Sequence, residues 1–360
     1  MVKSIILTPC LLALLLAIPG HSFAKVTGEC ANCHTMHNSQ NGAVVEADGP
    51  YSTLLTNNCV GCHSGSTPTY WLGTSKVPVV NHTGGSAPLE YLAGGNFYWV
   101  GTGEPGADAK GHNVLGVANQ DLAIDASATE GAPGGVFNAC PGCHQSLAVE
   151  HTLADFGSGC QGCHLRPAHH ADDSAVIVGE TGGYYRFLSG HMGGGVIGIE
   201  DDDWQLTASA SDHNEYLGDT ASALNNAGTM ATGNNMGSAM SGYCCGCHGN
   251  FHNENTEADG SGAWIRHPSD VAIPTTGEYG FYNVYDPNVP VARPDLTGWT
   301  DSSGTVTPGT DMVMCLSCHR PHGSPYDDLL RWDYSVMNAG TTGAGAGNGC
   351  FVCHTNKDGI

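Results

Sequence analysis

The chain has 360 residues, with 34 acidic against 11 basic side chains and a formal charge of −23. That balance excludes binding to nucleic acid or to anionic membrane surfaces as a design principle, and suits basic partners or mineral surfaces. Fifty-two glycines and 8% aromatic residues are poor material for an ordinary side-chain core, because glycine buries nothing and costs extra backbone entropy.

Residues 1–24 read as a secretory signal. Lys3 precedes an apolar run from Ile5 to Ile18, and Ser22, Phe23 and Ala24 form a small-residue cleavage site. No other stretch is long and apolar enough to span a bilayer. The expectation is an exported protein, periplasmic or on the outer surface, with no membrane span once the signal is removed.

Fourteen of the sixteen cysteines fall in one repeated pattern, Cys-x-x-Cys-His. The copies are Cys30, Cys33 and His34; Cys59, Cys62 and His63; Cys140, Cys143 and His144; Cys160, Cys163 and His164; Cys244, Cys247 and His248; Cys315, Cys318 and His319; Cys350, Cys353 and His354. In this spacing both sulfurs lie on one face of a helical turn, where they can form thioethers with one edge of a porphyrin. The histidine is then under the iron. Zinc sites do not require a histidine directly after every second cysteine. The cofactor read from the sequence is therefore seven covalently bound haem c groups. Cys10 leaves with the signal and Cys245 remains a thiol outside the pattern.

Three regions follow from the motif spacing: 25–135 with two motifs, 136–235 with two, and 236–360 with three. The first contains His37, three residues past His34 and too close to reach the far face of its own haem, so it is a candidate ligand to another haem. A cysteine-free stretch follows, with an apolar island at Gly95–Val100 expected to be a strand or haem-packing segment. His112 is a candidate ligand and His82 a weaker one. In the second region the candidates are His151, one of the adjacent His169 and His170 with preference for His170, and His191 after an aromatic run. The acidic run Glu200–Asp203 reads as a solvated loop or a cation site, and His213 as a bystander. The third region offers His252, His267 and His322.

Eleven histidines lie outside the motifs and the signal, more than seven irons need, so the simplest reading is bis-histidine ligation with no open iron. About 48 mature residues per motif, against about 100–150 for a normal domain, leave little chain to separate the porphyrins. The expected fold is loop-rich and mostly irregular, with short α-helices, few short strands and the haem stack as its core. The expected function is carriage of electrons along closely spaced haems. The alternative is a multihaem reductase with one open haem, against which stands the presence of all seven motif histidines.

Three stretches carry a family resemblance: Gly28–Asn38; Ala93–Val100 with Lys110–Asn113; and Cys315–His322 with Leu330–Trp332. They resemble the doubled CxxCH multihaem cytochromes of metal-reducing bacteria, some of which polymerise outside the cell into filaments with a continuous haem stack. The resemblance implies bis-histidine haems in parallel and T-shaped pairs, and a role for His37 as ligand to a haem of a neighbouring subunit. It also implies electron transfer, not enzymatic turnover, with other cytochromes or extracellular acceptors as partners and a possible homopolymer. The motif number, and the pair at Cys140 and Cys160, differ from the filament-formers' pattern.

Overall fold

The computed structural model describes residues 26, 28–66, 71–72, 77–88, 92–122, 146–150, 159–165, 167–171, 175–179, 184–189, 195–218, 238–245, 247–248, 267, 269–340 and 347–355. The signal, the Cys140 motif, His151, His191 and His252 lie outside them.

Regular structure comes in short pieces. The α-helices are α1 (Cys59–His63), α2 (Tyr98–Gly101), α3 (Met240–Cys245) and α4 (Cys350–Cys353), joined by many single 3₁₀ turns. Three of the four carry motif cysteines, because the motif itself closes one helical turn. In five motifs the histidine amide donates to the carbonyl of the first cysteine at 2.8–3.1 Å. At Cys59 the turn is also capped: the Asn58 side chain accepts from the Gly61 amide at 2.8 Å. None of these turns is long enough to be stable alone, so each depends on what it is anchored to.

The first strands form a two-residue hairpin, Ser39–Gln40 with Ala43–Val44, closed by Asn41 and Gly42 at φ 53° and 80°. Positive φ at both turn positions matches the right-handed twist of the flanking strands, and Asn-Gly is the pair that adopts it most readily.

One larger sheet organises the C-terminal half. Its strands are β1 (Ile177–Val178), β2 (Gly198–Ile199), β3 (Glu215–Leu217), β4 (Val271–Ala272), β5 (Ala292–Arg293) and β6 (Met312–Val313), in the order β4-β6-β5-β3-β2-β1. Only the β3–β5 pair is parallel. Two apolar clusters flank it, one around Val196, Tyr216, Met314 and Ala292, the other around Ile273, Tyr285, Val291 and Val306. The chain thus builds a side-chain core in this half in addition to the space that its motifs surround.

A buried ionic knot ties the sheet's centre. The Arg293 guanidinium on β5 meets the Glu215 carboxylate on β3 at 2.8 Å and the Asp311 carboxylate at 2.5 Å. His213, expected to be a bystander, faces no motif histidine among the described residues and is buried here. Its ring stacks on Tyr285 at 3.5 Å, and its two nitrogens reach the Ser209 carbonyl and Glu215. Burial pushes the Glu215 carboxyl up, but hydrogen bonds from His213 and Arg293 outweigh it and hold the group below its ordinary value.

In the run Glu200–Asp203, a turn, Asp202 is exposed as expected of a solvated loop, but the other carboxylates are tied to the backbone. Asp201 is buried and accepts from the Asp203 and Gln205 amides, Asp203 accepts from Leu206 and Thr207, and Glu200 accepts from the Arg186 amide. The carboxylates serve as turn caps, and no metal-holding cluster occurs among the described residues. No named strand forms in the apolar island at Gly95–Val100, of which Tyr98 to Val100 open α2. Gly95, at φ 83°, lets it press on the 320–323 turn, where a Cβ would lie 2.0 Å from the Gly323 carbonyl oxygen. No helix among the described residues is long and apolar enough to cross a membrane.

Candidate haem sites

Four motifs, at Cys30, Cys59, Cys160 and Cys244, line one continuous cavity of about 2300 Å³. A single small-molecule site is about 300–1000 Å³, so this space suits several large groups. Leu316 of the Cys315 motif also lines it, and Cys318 is close enough to Cys350 and Cys353 for their charges to raise its pKa, after burial, to about 12.

The histidines occur in facing pairs. Ring centroids are 6.1 Å apart for His34 and His170, 6.3 Å for His63 and His169, 6.3 Å for His164 and His322, 6.1 Å for His248 and His112, and 6.3 Å for His354 and His267. Two imidazoles in van der Waals stacking would sit far closer, as His213 and Tyr285 do. Two metal–nitrogen bonds of about 2 Å, with a ring radius of roughly 1.1–1.2 Å at each end, span about 6.3 Å. The gap between each pair thus fits one six-coordinate iron, and each pair joins one motif histidine to one from outside the motifs.

The tautomers agree with this geometry. The Nδ1 atoms of His34, His63, His164 and His319 lie 2.8–3.0 Å from the carbonyls of Thr53, Pro78, Arg186 and Asp328, and that of His112 lies 2.8 Å from the Pro321 carbonyl. A carbonyl can only accept, so Nδ1 carries the proton and Nε2 keeps the lone pair. Burial pushes His63, His112 and His169 below the ordinary imidazole value, His164 down to about 4 and His322 to about 3. These rings are neutral at physiological pH, as a metal ligand must be.

Of the candidates outside the motifs, His112, His170, His267 and His322 each face a motif histidine. So does His169, which the sequence reading set against His170 as an either-or choice. The two are consecutive but face different partners, as adjacent side chains on one turn can. His37 is exposed, does not line the cavity and faces no other histidine among the described residues; the same holds for facing partners of His319. His82 is buried with its ring tilted on Tyr98.

A recurrent device was missed in the sequence. Residues Tyr51–Leu55, Tyr184–Leu188 and Tyr326–Leu330 share a Tyr-x-x-Leu/Phe-Leu pattern. Each folds into a 3₁₀ turn with two successive non-glycine residues at positive φ: Thr53 and Leu54, Arg186 and Phe187, Asp328 and Leu329. In each turn the first of these presents its carbonyl to a motif Nδ1. In two of them the chain also pairs back on the motif: the Thr35 and Arg320 amides donate to Leu54 and Leu329. A left-handed residue costs roughly 1–2 kcal/mol, so the turns store strain where a haem ligand is aimed.

Comparisons with known proteins agree with this architecture. Residues 307–359 match the family model described as the doubled CXXCH motif. The C-type cytochrome OmcS of Geobacter sulfurreducens is 25% identical over 377 residues, covering 89% of this chain and 83% of that protein. Among solved structures, the outer membrane cytochrome S filament from Geobacter sulfurreducens matches with a TM-score of 0.52 at 20% identity, over 89% of this chain and 87% of that one, and so shares the fold. In its motifs, its loop-rich fold and its relatives, the chain is similar to multihaem c-type cytochromes, a filament-forming one among them.

Proposed function

We propose that the chain is a heptahaem electron carrier in which each iron is closed by two histidines, moving electrons to extracellular acceptors or partner cytochromes. The observation that carries this reading is the set of five histidine pairs at one common separation of 6.1–6.3 Å. The fourteen motif cysteines would anchor the haems, and the motif histidines with His112, His169, His170, His267 and His322 would cap the irons. When bound, each haem supplies a one-electron ferric/ferrous couple. The protein supplies rigid imidazoles on both faces, which exclude small substrates and keep ligation the same in both oxidation states.

Among the described motifs, contacts lead from the Cys30 site through those at Cys59, Cys160, Cys244 and Cys315 to the one at Cys350. His169 and His170 tie the first two sites together through consecutive residues, whose Cα atoms are about 3.8 Å apart. The thiols of Cys59 and Cys160 are within hydrogen-bond reach of each other, which joins the second site to the Cys160 site. The Tyr243 hydroxyl donates to the Cys163 carbonyl, and the Cys315 amide donates to the Ser241 hydroxyl on α3 at 3.2 Å, leading on through Cys244 to the Cys315 site. Cys318 then lies near Cys350 and Cys353.

His37 is read as a ligand donated to a second copy, the role its resemblance implies. Met36 (66% exposed) and Val44 (72% exposed) flank it, an apolar surface suited to being covered by a subunit. The test is carbon monoxide added to the reduced, assembled holo-protein. An unchanged absorption spectrum is expected. Binding of one equivalent per chain with turnover of a small oxyanion would replace this reading with a reductase.

A further inference from the structure

Among the motif histidines with a described Nδ1 partner, one differs from the rest in what holds it. Of the five motif histidines with a defined Nδ1 partner, four donate to a backbone carbonyl, but His354 meets a carboxylate, Glu278 Oε1, at 3.0 Å. The contact is sheltered: the side chains are 25% and 14% exposed. It is also built in. Glu278 sits in a 3₁₀ turn, Gly277–Phe281, whose next residue, Tyr279, sets its ring edge-on to His354 at 5.0 Å. The Thr355 hydroxyl, adjacent to His354, donates to the Glu278 carbonyl at 2.5 Å and locks the two segments together.

We propose that Glu278 is a positioning residue that sets the reduction potential of the haem at Cys350, Cys353 and His354 below that of its neighbours. The inference rests on the bis-histidine reading above. A carboxylate is a stronger acceptor than a peptide carbonyl, so it draws the Nδ1 proton and makes the imidazole a more basic ligand. A more electron-rich ligand favours the ferric state, and a fixed negative charge nearby opposes the electron that reduces it. Both effects have the same sign. The reduction adds one electron to the ferric haem and takes up no other reactant, and the shared proton remains between His354 and Glu278. The consequence is a row with unlike ends: an electron arriving at the C-terminal haem passes inward more readily than it stays.

The test uses the full-length holo-protein, with haem content confirmed by pyridine haemochrome and reduced-state carbon monoxide binding recorded first. Carbon monoxide binding by the wild type would refute bis-histidine closure and leaves the Glu278 comparison to be read separately. Spectroelectrochemical titration then compares wild type with E278Q, an isosteric change that keeps a neutral acceptor, and the affected haem is identified by its shifted methyl resonances in the proton NMR spectrum. One component moving to higher potential, with the rest unmoved and E278D lying between, is the expected result. An unmoved titration, or a uniform shift of all components, overturns the proposal. Should E278Q lose haem, the E278D comparison carries the test: a smaller upward shift of that one component supports it and none overturns it.

Discussion

At the scale of the residue, the motif histidines were legible because covalent attachment needs contiguous residues, and contiguity is what a sequence records. Their opposite partners were legible only as a pool. His112 takes its orientation from the Pro321 carbonyl, 209 positions away, a contact no local pattern announces. The preference for His170 over His169 has a related origin: choosing between adjacent histidines assumed one target, while the fold sets each against a different motif histidine. Replacing His169 with alanine should open a single iron, so reduced protein is expected to bind one carbon monoxide per chain. His169→Met should instead keep that iron closed and raise one potential, since thioether ligation favours the ferrous state. A potential unchanged in His169→Met would show that another side chain caps the iron.

At the scale of the element, the motif turns and the strained turns that receive their Nδ1 protons act as paired parts. The Tyr-x-x-Leu/Phe-Leu signal was present in the sequence three times, but its meaning lies in a left-handed backbone that leucine and phenylalanine seldom adopt, so propensity alone points away from it. Asp328→Pro cannot reach φ 59° and is expected to cost about 3 kcal/mol or more, read by denaturant unfolding, with loss of order at the haem of His319. Elsewhere, the acid run Glu200–Asp203 misled because charged composition suggests solvent, whereas Asp201 is buried by the amides it caps. In the central sheet, Arg293→Met strands Glu215 and Asp311, and such a removal costs about 3–5 kcal/mol. Because Glu215 titrates below its ordinary value in the folded protein, its contribution is complete above the unfolded value of about 4.3 and is lost as pH falls through the lower folded value. Glu215→Gln is therefore expected to lower stability at pH 7 and to flatten the acid limb of the stability profile. Asp311, raised by burial, acts in the opposite sense and blunts the effect.

For the whole molecule, glycine abundance and scarce aromatics point to cofactors filling space, and the 2300 Å³ cavity is where they would do so. Composition gave no sign of the six-stranded sheet, whose strands are only two or three residues long and too brief for alternation to register. Assembly belongs to this scale. His37→Ala is expected to leave the subunit folded and its other haems intact while abolishing end-to-end association in electron micrographs. Filaments unaffected by that change would remove His37 from the interface. The account stands or falls on which imidazoles share an iron. An iron-edge anomalous map, or a cryo-EM map of the loaded protein, tests this most directly. It should put one iron midway between each of His34 and His170, His63 and His169, His164 and His322, His248 and His112, and His354 and His267. Irons displaced from those gaps, or bound on one side by water, would contradict it.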